Sequence, residues 1–372
     1  MTTNVQVIPL AGLVLDPDGP LLRDHVRKPH RHTPHYLERY DRTTLFYDCV
    51  HLSERGSYLF TAPRFLNLWD PFRDGLRIGG TRPKRIRRRK WLRCEQIEVF
   101  APEGEVSVEI GGTRHVIAAR QGLAPGFAGT NALVSMNKNN ALPWIRDWAS
   151  YYARAHGANA AVLFDNGSTD YTVQDLADTL TEVPGIDRAV VFSAPYPYGP
   201  TDRSNKLEIS PRFFQTSMLN IARRDPLARA RAVLNVDIDE IARSHTGARI
   251  FDLAVQHRLG MATIQGSWVY PAPGTDGAAD HADHIWRRVP DRKCNRKWCL
   301  RPGGVMDRFG WAVHQIGGIL QNLFTDQDEV GLLHCHATST GWKAKRLNLP
   351  TPLDRDPDLA DFMAKAFPRD VS

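Results

Sequence analysis

The stretch "AVLNVDIDEIA", residues 232–242, decides how this chain reads. Its first half is apolar and suits a strand buried on both faces. Asp237, Asp239 and Glu240 then follow directly. A carboxylate at the end of a buried strand is costly unless it is paired or binds a cation. In a parallel α/β sheet, ligands gather beyond the carboxyl ends of the strands, so these acids stand where a site belongs. Alternation sends Asp237 and Asp239 one way and Ile238 back toward the core. Two carboxylates on one side suit Mg2+ or Mn2+, which take few protein carboxylates and complete their shell with phosphate oxygens and water. The plain alternative is a solvated strand-to-loop corner. An Asp-x-Asp triplet recurs by chance, and only its place after an apolar strand gives it weight.

The flanking sequence supplies the α/β context. "NALVSMN" (131–137) is a short apolar run and reads as a buried strand. "LPWIRDWASYYARAHG" (142–157) reads as a helix, with Pro143 near its start, Gly157 just past its end, and Ile145, Trp148 and Tyr152 on one face. "AAVLFDNGSTD" (160–170) is a strand ending in a polar loop, where Ser168 or Thr169 can cap the helix that follows. "RAVVFSAP" is the next strand, and "RFFQTSMLNIARR" after Pro211 is the next helix. Strand and helix in alternation imply a mostly parallel sheet with crossover helices.

Upstream, residues 44–125 hold short alternating stretches such as "QIEVFAP" and "EVSVEIGG" between Gly and Pro turns, the pattern of antiparallel strands. Residues 1–40 show no period. Downstream, "MATIQGSWVYP" and "KWCLRPGGV" read as strands, "APGTDGAADHADH" between them as a mobile loop, and "GLLHCHATSTGWKAKR" as a strand end running into a helix. The division expected is a β-rich module over 1–125, an α/β domain over 126–350 and a C-terminal helix over 351–372.

The 372 residues suffice for a sizeable core, and 42% hydrophobic with 24% charged residues is ordinary for a soluble protein. No apolar run is long enough to span a membrane and no leader is evident, so a cytoplasmic protein is expected. Five cysteines, an odd number, suit a reducing compartment. The net charge of +7 is concentrated in "RPKRIRRRKWLR" (82–93), which holds eight basic side chains. Such a run meets anionic lipid, an acidic glycan or nucleic acid, or is simply a solvated face. No zinc-finger spacing, basic-aromatic RNA motif or helix-turn-helix pattern accompanies it, so specific nucleic-acid binding is not expected. His334 and His336 share a strand face. A structural zinc site with Cys294 and Cys299 lacks the usual spacing, and a single histidine completing the Asp-x-Asp shell is the stronger reading.

In this order the motifs resemble bacterial glycosyltransferases of the family 2 and family 92-like group. "KNN", "LPWIRDW" and "FDNGSTD" resemble the opening of those proteins, "NVDIDEIA" their Asp-x-Asp-Glu segment, "KWCLRPGGV" with His314 their Lys-x-x-x-Arg-Pro strand and later His, and "HCHATSTGWKAKR" their closing motif. The resemblance spans residues 131–346. Asn140 stands where the family usually has Glu, and Cys335 where it has Tyr; residues 1–125 have no counterpart. The resemblance implies a glycosyltransferase A fold, Rossmann-like with a mostly parallel sheet, binding a nucleotide sugar, a uridine diphosphate sugar foremost, with Mn2+ or Mg2+. Carried over, Lys138, Asn139, Asp165 and Asp237 line the nucleotide pocket, and Lys297, Arg301 and His314 border the donor or acceptor. Asp237, Asp239 and His334 hold the metal. The acceptor would be a glycan or glycolipid hydroxyl in cell-surface polysaccharide or capsule assembly, with the basic run touching the inner membrane face. Asp276, Asp280, Asp283 and Glu240 are the candidate general bases for an inverting transfer. A nucleotidyltransferase using the same carboxylates is the alternative, although no Gly-rich phosphate loop is present.

Overall fold

The computed structural model describes residues 3–202, 209–340 and 348–368. A nine-stranded sheet forms the centre. Its order is Asn4–Pro9, Arg188–Ser193, Ala160–Asp165, Asn131–Asn137, Ala232–Asn235, Lys293–Leu300, Met261–Val269, Asp326–Cys335 and Glu240–Ser244. The first five strands are mutually parallel, and the rest are mixed. The expected α/β class with a mostly parallel sheet is therefore what the chain adopts.

Alternation in the buried strands feeds two cores. Ala161 and Leu163 enter one face, beneath the helices Leu142–His156, Val173–Thr181, Ile250–Gln256 and Pro357–Ala366. Ala160, Val162 and Phe164 enter the other, against the helix Phe213–Arg224. Helix ends follow local chemistry. Pro143 lies in the first turn of Leu142–His156, and Gly157 closes it in the left-handed region at φ 70°. The cap of Val173–Thr181 is Thr172, reciprocally bonded with Asp175, rather than Ser168 or Thr169. Those two side chains are engaged elsewhere, as described below.

The first 125 residues are β-rich, with a five-stranded sheet and a three-stranded sheet around a core of their own. The segment before residue 40 is more ordered than its sequence suggests. Asn4–Pro9 pairs in parallel with Arg188–Ser193 as the edge of the central sheet, and Pro34–Arg39 is a short helix. Among the described residues no helix is long and apolar enough to cross a membrane. The helix expected after "HCHATSTG" falls in 341–347, outside the described residues.

One topological feature positions the site. From Asn131–Asn137 the chain moves outward through Ala160–Asp165 to Arg188–Ser193, then returns to place Ala232–Asn235 on the opposite side of Asn131–Asn137. Where the strand order reverses, the loops leaving the two strands diverge and open a crevice at their carboxyl ends.

Candidate functional site

That crevice is a cleft of about 550 Å³, within the range of small-molecule sites. Met136, Asn137, Lys138 and Asn140 line one wall, and Asp237, Ile238 and Asp239 the other. Tyr196, Tyr198 and Gly199, beyond the strand Arg188–Ser193, form a third side with Phe214 and Gln215. Thr338, Ser339 and Thr340 close it from the C-terminal region, and Glu38 and Arg39 reach in from the N-terminal helix.

The Asp-Ile-Asp corner is rigidly supported. The Asp237 N–H donates to Glu240 Oε2 at 2.8 Å, and the Glu240 N–H donates to the Asp237 carbonyl at 3.1 Å. Lys297, fully buried, lies 2.9 Å from both Asp237 Oδ2 and Glu240 Oε2. His334 Nε2 lies 3.1 Å from Asp239 Oδ2, and His334 Nδ1 lies 3.4 Å from Glu240 Oε1. The imidazole stacks on Trp268 at 3.9 Å between ring centroids. His281 Nε2 is 2.8 Å from the Ile238 carbonyl. Asp237, Asp239 and Glu240 are thus gathered around one ammonium and one imidazole. Burial alone would raise the Asp237 pKa, but the Lys297 ammonium outweighs it and holds the carboxyl below its ordinary range. Burial works against the Lys297 charge in turn, and Asp237 and Glu240 together raise its pKa above the usual lysine value.

Opposite this corner, the loop after Asn131–Asn137 is held from behind. Asn137 Nδ2 donates to Asp165 Oδ1 at 2.8 Å and to the Tyr171 hydroxyl at 2.9 Å, while Asn137 Oδ1 accepts from Asn140 at 2.9 Å. Asp165 also receives the Ser168 hydroxyl and N–H, at 2.5 and 2.9 Å. Asn139 adopts φ 55°, and its carbonyl oxygen Oδ1 accepts the Thr169 N–H at 2.7 Å. These bonds leave Lys138 exposed on the cleft wall.

The sequence expectations therefore divide. Lys138, Asp237 and Asp239 line the cleft. Asp165 and Asn139 do not; their side chains build the loop that presents Lys138. Lys297 stands beneath the corner, bound to Asp237, rather than on the cleft wall. His314 stands close enough to this pair to feel it. Partial loss of water around the ring first, and the Lys297 charge second, push its pKa down, although the residue stays exposed at its surface. Arg301 is misplaced by the sequence reading. Lys293–Leu300 runs antiparallel to Ala232–Asn235, so the end of that strand carries Arg301 to the opposite edge of the sheet, where its N–H donates to the Gly260 carbonyl.

Of the candidate bases, Asp276, Asp280 and Asp283 are absent from the cleft wall. Asp280 Oδ1 accepts the Trp144 indole N–H at 2.7 Å, and Asp280 and Asp283 cap each other around a short 3-10 turn. The segment read as a mobile loop is anchored there by the buried His281. Glu240 is near the corner but is fully buried, committed to Lys297 and His334. Asn137, Tyr196, Tyr198, Glu38 and Arg39 line the cleft without having been singled out individually in the sequence, and Asn140 stood out only as a departure from the family pattern. The two asparagines sit in "MNKNN", and the tyrosines in "PYPYG", a polar-aromatic run just past a buried strand.

The donor set can be weighed against a divalent cation. Among the described residues no three acidic, histidine or cysteine side chains converge as a metal cage. Two carboxylates at the cleft mouth fit a hard cation whose remaining ligands are water and phosphate oxygens. His334, with each ring nitrogen against a carboxylate, is placed to orient Asp239.

No family model matches this chain, and no curated protein matches it. Among solved structures it is similar to S. aureus TarS 1-349, with 15% identity over 56% of this chain and 58% of that one, at a TM-score of 0.29. The chain thus spans 58% of that neighbour's length, and a likeness at this TM-score adds nothing about fold or reaction.

Proposed function

We propose that the cleft binds a nucleoside diphosphate sugar and transfers the sugar to a hydroxyl of a glycan or glycolipid, as a metal-dependent glycosyltransferase. The observation that carries this reading is the pair Asp237 and Asp239 at the topological switch point, facing Lys138 across a cleft of about 550 Å³. In such a transfer the acceptor oxygen bonds to the anomeric carbon, the bond from that carbon to phosphate breaks, and the electron pair leaves with the diphosphate. Asp237 and Asp239 would hold Mn2+ or Mg2+ jointly with the diphosphate, and the cation would supply Lewis-acid stabilisation of the leaving group. Lys297 keeps Asp237 ionised, His334 orients Asp239, and Lys138 offers its charge to a phosphate oxygen. Asn137 and Asn140, bonded to each other, hold the loop that presents Lys138.

The hydroxyl proton needs an acceptor. With Asp237 and Asp239 assigned to the cation, Glu38 is the other carboxylate on the cleft wall among the described residues, and we assign the base to it. Glu38→Gln should lower kcat by about a hundredfold or more while leaving donor binding intact. Equal turnover in the variant removes Glu38 from this role.

Thermal-shift measurements with nucleoside diphosphates, with and without Mn2+, test the reading. The matching nucleotide should raise Tm, and raise it further with metal. Asp239→Asn should abolish the added metal effect and slow transfer about a hundredfold or more. A nucleotide effect equal in wild type and variant, or release of pyrophosphate in place of nucleoside diphosphate, would overturn the assignment.

A further inference from the structure

The basic run 82–93 has no part in the cleft, and the structure shows where it lies. Arg85–Lys90 is the edge strand of the N-terminal five-stranded sheet. Alternation turns Arg88 inward, onto Glu95 and over the Trp69 ring, and leaves Arg85, Arg87 and Arg89 exposed, with Lys90 exposed at the strand end. Charges on an edge strand blunt edge-to-edge pairing, and that would be explanation enough if the strand stood alone.

It does not stand alone. At the hairpin tip, Trp91 packs flat against Gly310, so closely that a Cβ there would meet the indole at 2.8 Å. This contact brings the tip, with Leu92 69% exposed, beside a group of uncovered apolar side chains. Val305 and Phe309 lie on the turn before Gly310, and Ile319, Leu323 and Phe324 on the short helix Ile319–Phe324. Ile319 and Leu323 are 69% and 61% exposed. The turn and the segment leading into the helix lie against each other. A Cβ on Gly317 would lie 3.2 Å from the Phe309 ring, and the Met306 N–H donates to the Leu259 carbonyl beside it. Basic residues border it: Arg258 lies over the Phe324 ring at 5.7 Å, and Arg308 is exposed between Val305 and Phe309. Of the nearby acids, Asp307 is paired with Arg223 and Asp326 with Arg296, while Asp328 and Glu329 lie exposed on the strand that follows the helix.

We infer that this face, from the Arg85–Lys90 strand across Leu92 and Phe309 to the Ile319–Phe324 helix, docks on an anionic membrane surface. Apolar side chains enter the headgroup boundary while arginine and lysine meet lipid phosphates, the two signals that together give stable peripheral attachment. A second copy of the chain is disfavoured, because pairing would bring like-charged rims together. A nucleic acid or acidic glycan would use the charges and leave the leucines idle. The inference stands apart from the transferase reading, since vesicle binding is measured without donor or acceptor.

Co-sedimentation with vesicles of phosphatidylcholine alone, or mixed with phosphatidylglycerol, tests it. The protein should bind the mixed vesicles and be released as salt rises. Arg89→Gln/Lys90→Gln should weaken binding about fivefold per charge removed. Ile319→Ser/Leu323→Ser should weaken it at least about tenfold at every salt concentration. Because all four side chains are exposed, the variants should melt with wild type, which separates lost binding from lost folding. Equal binding to both vesicle types, none to either, or full binding by the serine variant would overturn the inference. So would a dimer in solution that Leu323→Ser dissociates.

Discussion

Replacing Lys297 with methionine should cost about 3–5 kcal/mol of stability and remove most activity. The ammonium is fully buried and lies 2.9 Å from both Asp237 and Glu240. Methionine fills a similar volume but leaves the buried Glu240 and the half-buried Asp237 without their counter-charge, and an uncompensated buried charge is far more costly than a neutral void. The pH dependence carries a definite sign. In wild type, Lys297 holds Asp237 below its ordinary pKa, so this pair contributes stability that is present above the unfolded aspartate pKa and is lost as pH falls through the folded value. In the variant, Asp237 and Glu240 lose that attraction and burial raises both, so the folded state binds more protons than the unfolded one. Its deficit should then shrink as pH falls from about 8 to about 5, while wild type changes little. Urea denaturation across that range measures both. A deficit below about 1 kcal/mol, or one that widens in acid, would show that the ion pair is not what supports the corner. Lys297→Arg should not rescue, because a planar fork cannot occupy the point between two carboxylates that a compact ammonium fills.

Lys297 also shows where the sequence stops being legible. The Asp-x-Asp corner, the helix Leu142–His156 and the strand–helix alternation were readable because local periodicity and end signals set them; Gly157 needs only its own φ to end a helix. The partner of Asp237 lies 60 residues away and is fixed by an antiparallel pairing that no local pattern encodes. The same pairing carried Arg301 to the wrong edge of the sheet for a ligand. Asp165 failed for another reason: a carboxylate at the end of a buried strand either meets a ligand or satisfies a loop, and only the positions of Asn137 and Ser168 distinguish the two. The "VQVIP" strand near the N-terminus is too short to announce a parallel partner more than 180 residues on. The polar cleft walls Tyr196–Tyr198 and Glu38–Arg39 converge through tertiary packing alone. The class of the fold, the Asp-x-Asp corner and Lys138 thus came from local patterns and motif order, while Glu38 and the aromatic wall came from topology.

Arg120→Met should destabilise the chain by about 3–5 kcal/mol, a loss of the same size reached by a different route. Arg120 is almost wholly buried where the N-terminal sheets meet the α/β sheet. Its Nε lies 3.0 Å from both oxygens of Asp48, its Nη2 lies 2.7 Å from Asp48 Oδ2, and its Nη1 bonds Asp225. Asp48 also accepts the Ala11 N–H at 3.1 Å, and Asp225 accepts the Leu123 N–H at 2.6 Å. The guanidinium lies over Phe192 of the central sheet, 5.0 Å from the ring centroid. One side chain thereby ties the strand Asp48–Leu52, the loop after the helix Phe213–Arg224 and the sheet face to each other. Removing it strands two buried acids at once. Burial already raises Asp225 above the ordinary aspartate range even with Arg120 opposing, so in the variant Asp225 should take up a proton and the deficit should narrow as pH falls. Arg120→Lys should recover little, because a single ammonium cannot span Asp48 bidentately and reach Asp225 as well. Adding Asp48→Asn and Asp225→Asn to Arg120→Met should recover part of the loss by removing the stranded charges, which a purely steric explanation would not predict. Urea unfolding of the single and triple variants decides between them: a triple variant no more stable than Arg120→Met would rule out charge as the origin of the loss and leave packing over Phe192.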